Sequence, residues 1–200
     1  MQEVFRTEAV KVLSGYGGRL RDLRTSIGEA KKFDSAVLLD SLVNAAVASM
    51  ERLRTTWPNT KIDAAAQILG RSETIFIHGK GRSFPLACYF ADATINLGMK
   101  IMLMDQDEMA LVPISGRKSS DSLVVIGFSP YSTTTQELVR QAITRQVPIV
   151  AITDNPSAPL VPSADVVFQV TEGGFSEFQS LASSLCLIDV LALGAARFRG

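Results

Sequence analysis

Apolar residues along this 200-residue chain change their spacing from one region to the next, and each change marks a different kind of element. Near the N-terminus a glycine-rich break, Ser14-Gly15-Tyr16-Gly17-Gly18, separates two short helical patterns. Between Ser35 and Thr56, Leu39, Val43, Ala46, Met50, Leu53 and Trp57 recur at alternating intervals of four and three, which predicts a helix carrying them on one stripe. Trp57-Pro58 ends it, because proline has no amide hydrogen for the next ladder bond. A short helix from Ile62 to Leu69 follows.

From residue 74 the spacing becomes a strand–helix alternation. The apolar runs 74–78, 100–104, 122–128, 148–153 and 165–170 read as five strands, with helices over 83–97, 134–145 and 175–198. The runs are continuous rather than alternating, as expected of parallel strands covered by helices on both faces. The fold class that follows is α/β: a three-layer α/β/α sandwich with a five-stranded parallel sheet, plus an N-terminal helical extension. Residues 1–34 form the extension and residues 35–200 the α/β domain. In the last helix Phe178, Leu181, Leu185, Ile188, Ala192 and Ala195 make one stripe, widened by Leu187, Val190, Leu191 and Leu193. A helix that apolar is buried on more than one side. Together with the 35–56 helix it is either internal core or a subunit interface, and the second reading implies a homodimer or homotetramer.

Composition narrows the classes. With 46% hydrophobic and 20% charged residues the chain can build a large core and is not disordered, collagen-like or coiled-coil. Twenty basic residues balance twenty acidic ones, so global charge points to neither nucleic acid nor an anionic membrane. The charge is uneven, however: the first 32 residues hold seven basic and four acidic side chains. Cys88 and Cys186 form no CxxC pair, which argues against a disulfide framework and for a reducing cytoplasm. A single histidine excludes a histidine-rich metal site, and no cofactor is indicated. The longest apolar stretch, Leu181 to Ala196, is interrupted by Ser183, Ser184 and Asp189 and does not read as a membrane span.

Two turns carry candidate chemistry, each directly after a strand. In His78-Gly79-Lys80-Gly81-Arg82-Ser83 the glycines let the backbone approach a ligand, and the helix that follows offers unpaired amides and a positive dipole end. Ser83 can bond an anion or act as a plain N-cap; Lys80 and Arg82 raise the local potential. The third glycine of a dinucleotide fingerprint would fall at Phe84, and Lys80 is followed by Gly81, so neither that motif nor a GxxxxGK[ST] loop is present. The second turn runs from Gly127 through Ser129-Pro130-Tyr131-Ser132-Thr133-Thr134-Thr135 to Glu137. Thr134 and Glu137 match a capping box, which leaves Ser129 and Ser132 unexplained. Several neutral donors before a helix suit a phosphate ester. In a doubly wound sheet of order 2-1-3-4-5, strands one and three are neighbours whose carboxyl ends open into one crevice, so both turns would face one ligand.

Gly79-Lys-Gly-Arg-Ser83, Phe128-Ser-Pro-Tyr-Ser132 and Ala151-Ile-Thr-Asp154, with Pro159-Leu160 and Ala164-Asp165, resemble a sugar isomerase (SIS) domain. The nearer resemblance is to the effector domain of RpiR-type transcriptional regulators. It implies a flavodoxin-like SIS fold whose two turns, Gly79, Lys80, Gly81, Arg82, Ser83, Ser129, Tyr131, Ser132, Thr134 and Thr135, bind a phosphorylated sugar. The sequence departs from the family's SxSGxT pattern: Gly127 stands where the first Ser is usual and Pro130 where Gly is usual. Such regulators also carry a helix-turn-helix; residues 1–30 are too few for one, so they read as a remnant, or the chain as part of a longer regulator. DNA is a partner only if a complete helix-turn-helix is present. The alternative is a stand-alone ketose/aldose phosphate isomerase, with Glu177 at the start of the last helix as base and His78 in ring opening. For each there is a structural reading: Ser176-Glu-Phe-Gln179 as a capping box, and His78 as a buried strand-end residue. A third reading is an oligomeric scaffold with a degenerate pocket.

Overall fold

The structure, a computed structural model, describes residues 24–104, 120–175 and 178–199. Residues 24–30 are helical. Helix α1, Ser35–Thr56, starts at Asp34, whose carboxylate accepts a hydrogen bond from the Val37 amide at 2.9 Å. Such a cap satisfies one of the amides that a helix start leaves unpaired. Helix α2, Asn59–Arg71, is longer at both ends than its apolar pattern predicted. Then come β1 (Ile75–Gly79), α3 (Phe84–Asn96), β2 (Ile101–Met104), β3 (Ser122–Gly127), α4 (Thr133–Thr144), β4 (Ile149–Thr153), β5 (Val166–Gln169), the short strands β6 (Gly174–Phe175) and β7 (Phe178–Gln179), and α5 (Ala182–Ala196). None of the described helices is long and apolar enough to cross a membrane.

The main sheet has the order β2-β1-β3-β4-β5, parallel throughout. Its inner strands β1, β3 and β4 are buried along their whole length, which is why they read as unbroken apolar runs. One face, with Ile75, Ile77, Val124, Ile126, Val150, Ile152 and Phe168, packs against α2, α3 and α5. The other, with Phe76, Leu123, Val125, Ile149 and Ala151, packs against Leu138, Val139 and Ala142 of α4 and against Leu160. The three-layer α/β reading holds.

One expectation is revised. The last helix begins at Ala182, not at 175; the residues before it contribute an antiparallel pair, Gly174 with Gln179 and Phe175 with Phe178. The α5 amides find their cap upstream: the Glu172 carboxylate accepts from the Ser183 amide (3.2 Å), the Ser183 hydroxyl (2.8 Å) and the Ser184 amide (2.9 Å). The capping box expected at 176–179 therefore starts no helix, and Ser176 and Glu177 themselves lie outside the described residues.

The apolar stripes, which the sequence left open between internal core and subunit interface, fare differently in the two helices. Most of the α5 girth is consumed inside the chain: Leu187, Ile188, Leu191, Ala192 and Ala195 are buried. Its small-residue end meets α2, where a side chain at Gly70 would collide with the Ala195 carbonyl. In α1 the expected stripe divides along its length: Leu53 and, just past the helix, Trp57 pack against the core, while Leu39 (62% exposed), Val43 (49%) and the neighbouring Val47 (48%) face outward.

Candidate functional site

Parallel pairing sets Ile75 beside Ser122 and Gly79 beside Ile126, so β1 and β3 end together at the point where the sheet order reverses. Crevices form at such points because the connections leave in opposite directions. The turn after β1 passes through Gly81, whose φ of +61° is the left-handed conformation that glycine adopts without strain. One 3-10 turn, Gly81–Ser83, leads into α3. Ser83 occupies the N-cap position and is buried, yet its side chain makes no capping bond.

The turn after β3 runs through buried Phe128, exposed Ser129 and Pro130, and half-buried Tyr131 and Ser132. The Ser129–Pro130 peptide is cis. Helix α4 starts at Thr133 with Ser132 at its N-cap, again without a side-chain cap. The anticipated Thr134–Glu137 box is not formed: Glu137 instead accepts from the Arg140 guanidinium (2.8 Å) and the Gln141 amide (3.0 Å), which hold its carboxyl down at about 2. Hydroxyls at both N-cap positions are thus left uncommitted where helix amides and dipoles point outward.

The two turns are physically tied. His78, the last residue but one of β1, is fully buried, and its Nε2 lies 3.0 Å from the Thr135 hydroxyl on α4. Thr135 is buried as well, so this pair is a strut beneath the crevice rather than part of its lining. Burial, and then the nearby Lys80 charge, lower the His78 pKa to about 4, so the ring is neutral at physiological pH; its Nδ1 has no partner. Above the strut, the Arg82 guanidinium lies over the Phe128 ring, 5.4 Å from its centroid, reaching from the first turn to the second. Burial lowers the Arg82 pKa, against the pull of Glu172 and Asp154.

Asp154, just beyond β4, has a larger role than its place in a sequence motif suggested. Its carboxylate accepts from the Ser129 amide at 3.0 Å and from the Tyr131 hydroxyl at 2.8 Å. Burial and this bond raise the Tyr131 pKa, keeping the phenol a donor. Two donors expected to serve an anion are thus already engaged. At Gly127 a Cβ would sit 2.7 Å from Leu160 Cδ2, so a serine there would require the leucine side chain to shift.

The expected site residues therefore sort by placement. Gly79, Lys80, Gly81, Arg82 and Ser83 on one side, and Ser129, Tyr131, Ser132 and Thr134 on the other, border the ends of neighbouring strands. His78 and Thr135 lie buried below them, and Glu177 is outside the described residues. Asp154 and Glu172 carried one available signal and one unavailable one. Asp154 follows a strand at the carboxyl rim, where α/β crevices open. Glu172 caps a helix ten residues further on, which no local pattern reports.

No curated protein matches the sequence. Among solved structures, the sugar isomerase domain of an RpiR transcription factor from Sphaerobacter thermophilus aligns with a TM-score of 0.75 at 19% identity, over 80% of this chain and 90% of that one. The Vibrio vulnificus NanR protein complexed with ManNAc-6P aligns with a TM-score of 0.73 at 20% identity, over 86% of this chain but 65% of NanR. A Methanococcus jannaschii hypothetical protein, whose structure infers a 3-hexulose-6-phosphate isomerase function, aligns with a TM-score of 0.60 at 21% identity, over 80% and 88%. At these identities the likeness is one of fold. The SIS domain model matches residues 68–194, from the end of α2 through both crevice turns to the end of α5, and the chain belongs to the SIS domain family.

Proposed function

We propose that this chain is a cytoplasmic phosphosugar-binding sensor of RpiR type, whose ligand phosphate sits between the two N-cap serines, Ser83 and Ser132, with Ser129 and Thr134 beside them. The observation that carries the reading is the pair of buried or half-buried serines at N-cap positions that cap nothing, on turns leaving adjacent strand ends. Asp154 holds the Ser129 amide and the Tyr131 hydroxyl, so the anion relies on the remaining hydroxyls and amides. The uncovered stripe Leu39, Val43 and Val47 on α1 supports a homodimer or homotetramer. That NanR was solved with a phosphosugar is consistent with the ligand class.

A thermal-shift screen of hexose, pentose and amino-sugar phosphates tests the reading, since a ligand that binds only the folded state raises its stability. No response at millimolar concentration from any of them would overturn it. The isomerase reading is weakened because His78 has no exposed surface to offer a sugar ring. Turnover of a ketose phosphate that disappears in Glu177→Gln would restore that reading.

A further inference from the structure

The segment joining β5 to α5 is fastened to three different parts of the molecule. At its start, the Glu172 carboxylate caps α5. Next, Gly173 lies so close to α1 that a side chain there would collide with the Ala45 carbonyl, and the Phe175 ring meets Phe33 edge-on at 5.8 Å between centroids. At its far end, Arg82 of the first crevice turn donates to the Gln179 side-chain carbonyl and, at 3.0 Å, to the Ser180 backbone carbonyl. This segment therefore connects the crevice with the helix that leads back to the basic N-terminal residues.

Both acceptors that hold Arg82 are neutral. A guanidinium bonds an anionic oxygen roughly twice as strongly as a neutral one, and in a forked geometry. Arg82 is one residue from Ser83, and its guanidinium already lies over Phe128 at the entrance to the second turn. A phosphate in the crevice thus competes directly with Gln179 and Ser180 for the same donor.

We propose that Arg82 is a ligand-responsive latch: phosphate withdraws it from Gln179 and Ser180, and the freed segment carries the occupancy signal to α1 through Gly173 and Phe175. The latch rests on the phosphate reading of the crevice and adds a direction to it. Because latch and ligand draw on one guanidinium, weakening the latch must strengthen the ligand, by the reciprocity of linked equilibria.

The test measures affinity for inorganic phosphate and for ManNAc-6P, with amide hydrogen exchange as the second readout, in wild type, Gln179→Ala and Arg82→Ala. Gln179 is exposed, so its truncation leaves the core intact. The latch predicts that Gln179→Ala binds phosphate about three- to tenfold more tightly, the effect of releasing one charge-assisted bond at an exposed site. It predicts that Arg82→Ala binds more weakly. It also predicts faster exchange at the 172–175 and 42–48 amides of wild type on saturation, with no such change in Arg82→Ala. Phosphate that binds wild type but gains nothing in Gln179→Ala, or leaves exchange in both segments unchanged, overturns the latch and spares the phosphate site. Absence of binding in wild type and Gln179→Ala alike overturns both.

Discussion

Acid sensitivity gives a direct test of the strut beneath the crevice. His78 is the chain's single histidine, so no other side chain has an unfolded-state pKa near 6.5. In the folded protein its pKa is lowered from 6.5 to about 4, first by burial and then by Lys80. The unfolded chain therefore takes up a proton that the folded one refuses. Stability is undiminished above pH 6.5, declines between 6.5 and about 4, and loses nothing further from this group at lower pH. Going from about pH 7.5 to about pH 5, the loss assigned to His78 is about 2 kcal/mol. For a protein of this size that lowers the melting temperature by about 4–8 °C. His78→Gln keeps an amide facing the Thr135 hydroxyl but does not titrate. It is expected to cost about 1–3 kcal/mol at neutral pH, because the bond geometry and the packing are imperfectly reproduced. The diagnostic quantity is the difference between the two pH profiles, measured by denaturant titration at several pH values. Carboxylate titrations are shared by both proteins and cancel. Parallel profiles between pH 7.5 and 5 would refute the reasoning, since they would mean that the imidazole is protonated or hydrated in the folded state.

Further outcomes follow from the same geometry. Ser83→Ala and Ser132→Ala should change the stability of the ligand-free protein by about 0.5 kcal/mol or less, well below the usual cost of deleting a working cap, yet abolish the thermal shift given by a phosphosugar. A large loss of stability without ligand would mark them as structural caps instead. Glu172→Ala removes the acceptor of three α5 donors and should cost about 1–2 kcal/mol by chemical denaturation. Gly127→Ser inserts the family's usual hydroxyl against Leu160 and should destabilise by about 1–3 kcal/mol; its combination with Leu160→Ala should cost less than the two changes summed.

What the amino-acid sequence determined by itself is local or periodic. Buried strands such as Ile75–Gly79 and Ile149–Thr153 are visible because both faces must be apolar, and the turns after β1 and β3 because glycine and hydroxyl residues cluster there. In the doubly wound order β2-β1-β3-β4-β5, which the folded sheet adopts, those two turns leave neighbouring strands at one end of the sheet. Tertiary structure decided what depends on partners distant in sequence. Along the α1 stripe Leu53 and Trp57 pack on the core whereas Leu39 and Val43 stay exposed, with Gly173 close against Ala45 on the helix. The α5 start shifted to Ala182 because Glu172 supplies its cap across an intervening hairpin. His78 and Thr135 became a strut rather than site lining because they meet only once β1 and α4 are packed together. Hydrogen bonds and close contacts across tens of residues leave no periodic trace in a chain, so only the folded geometry could assign them.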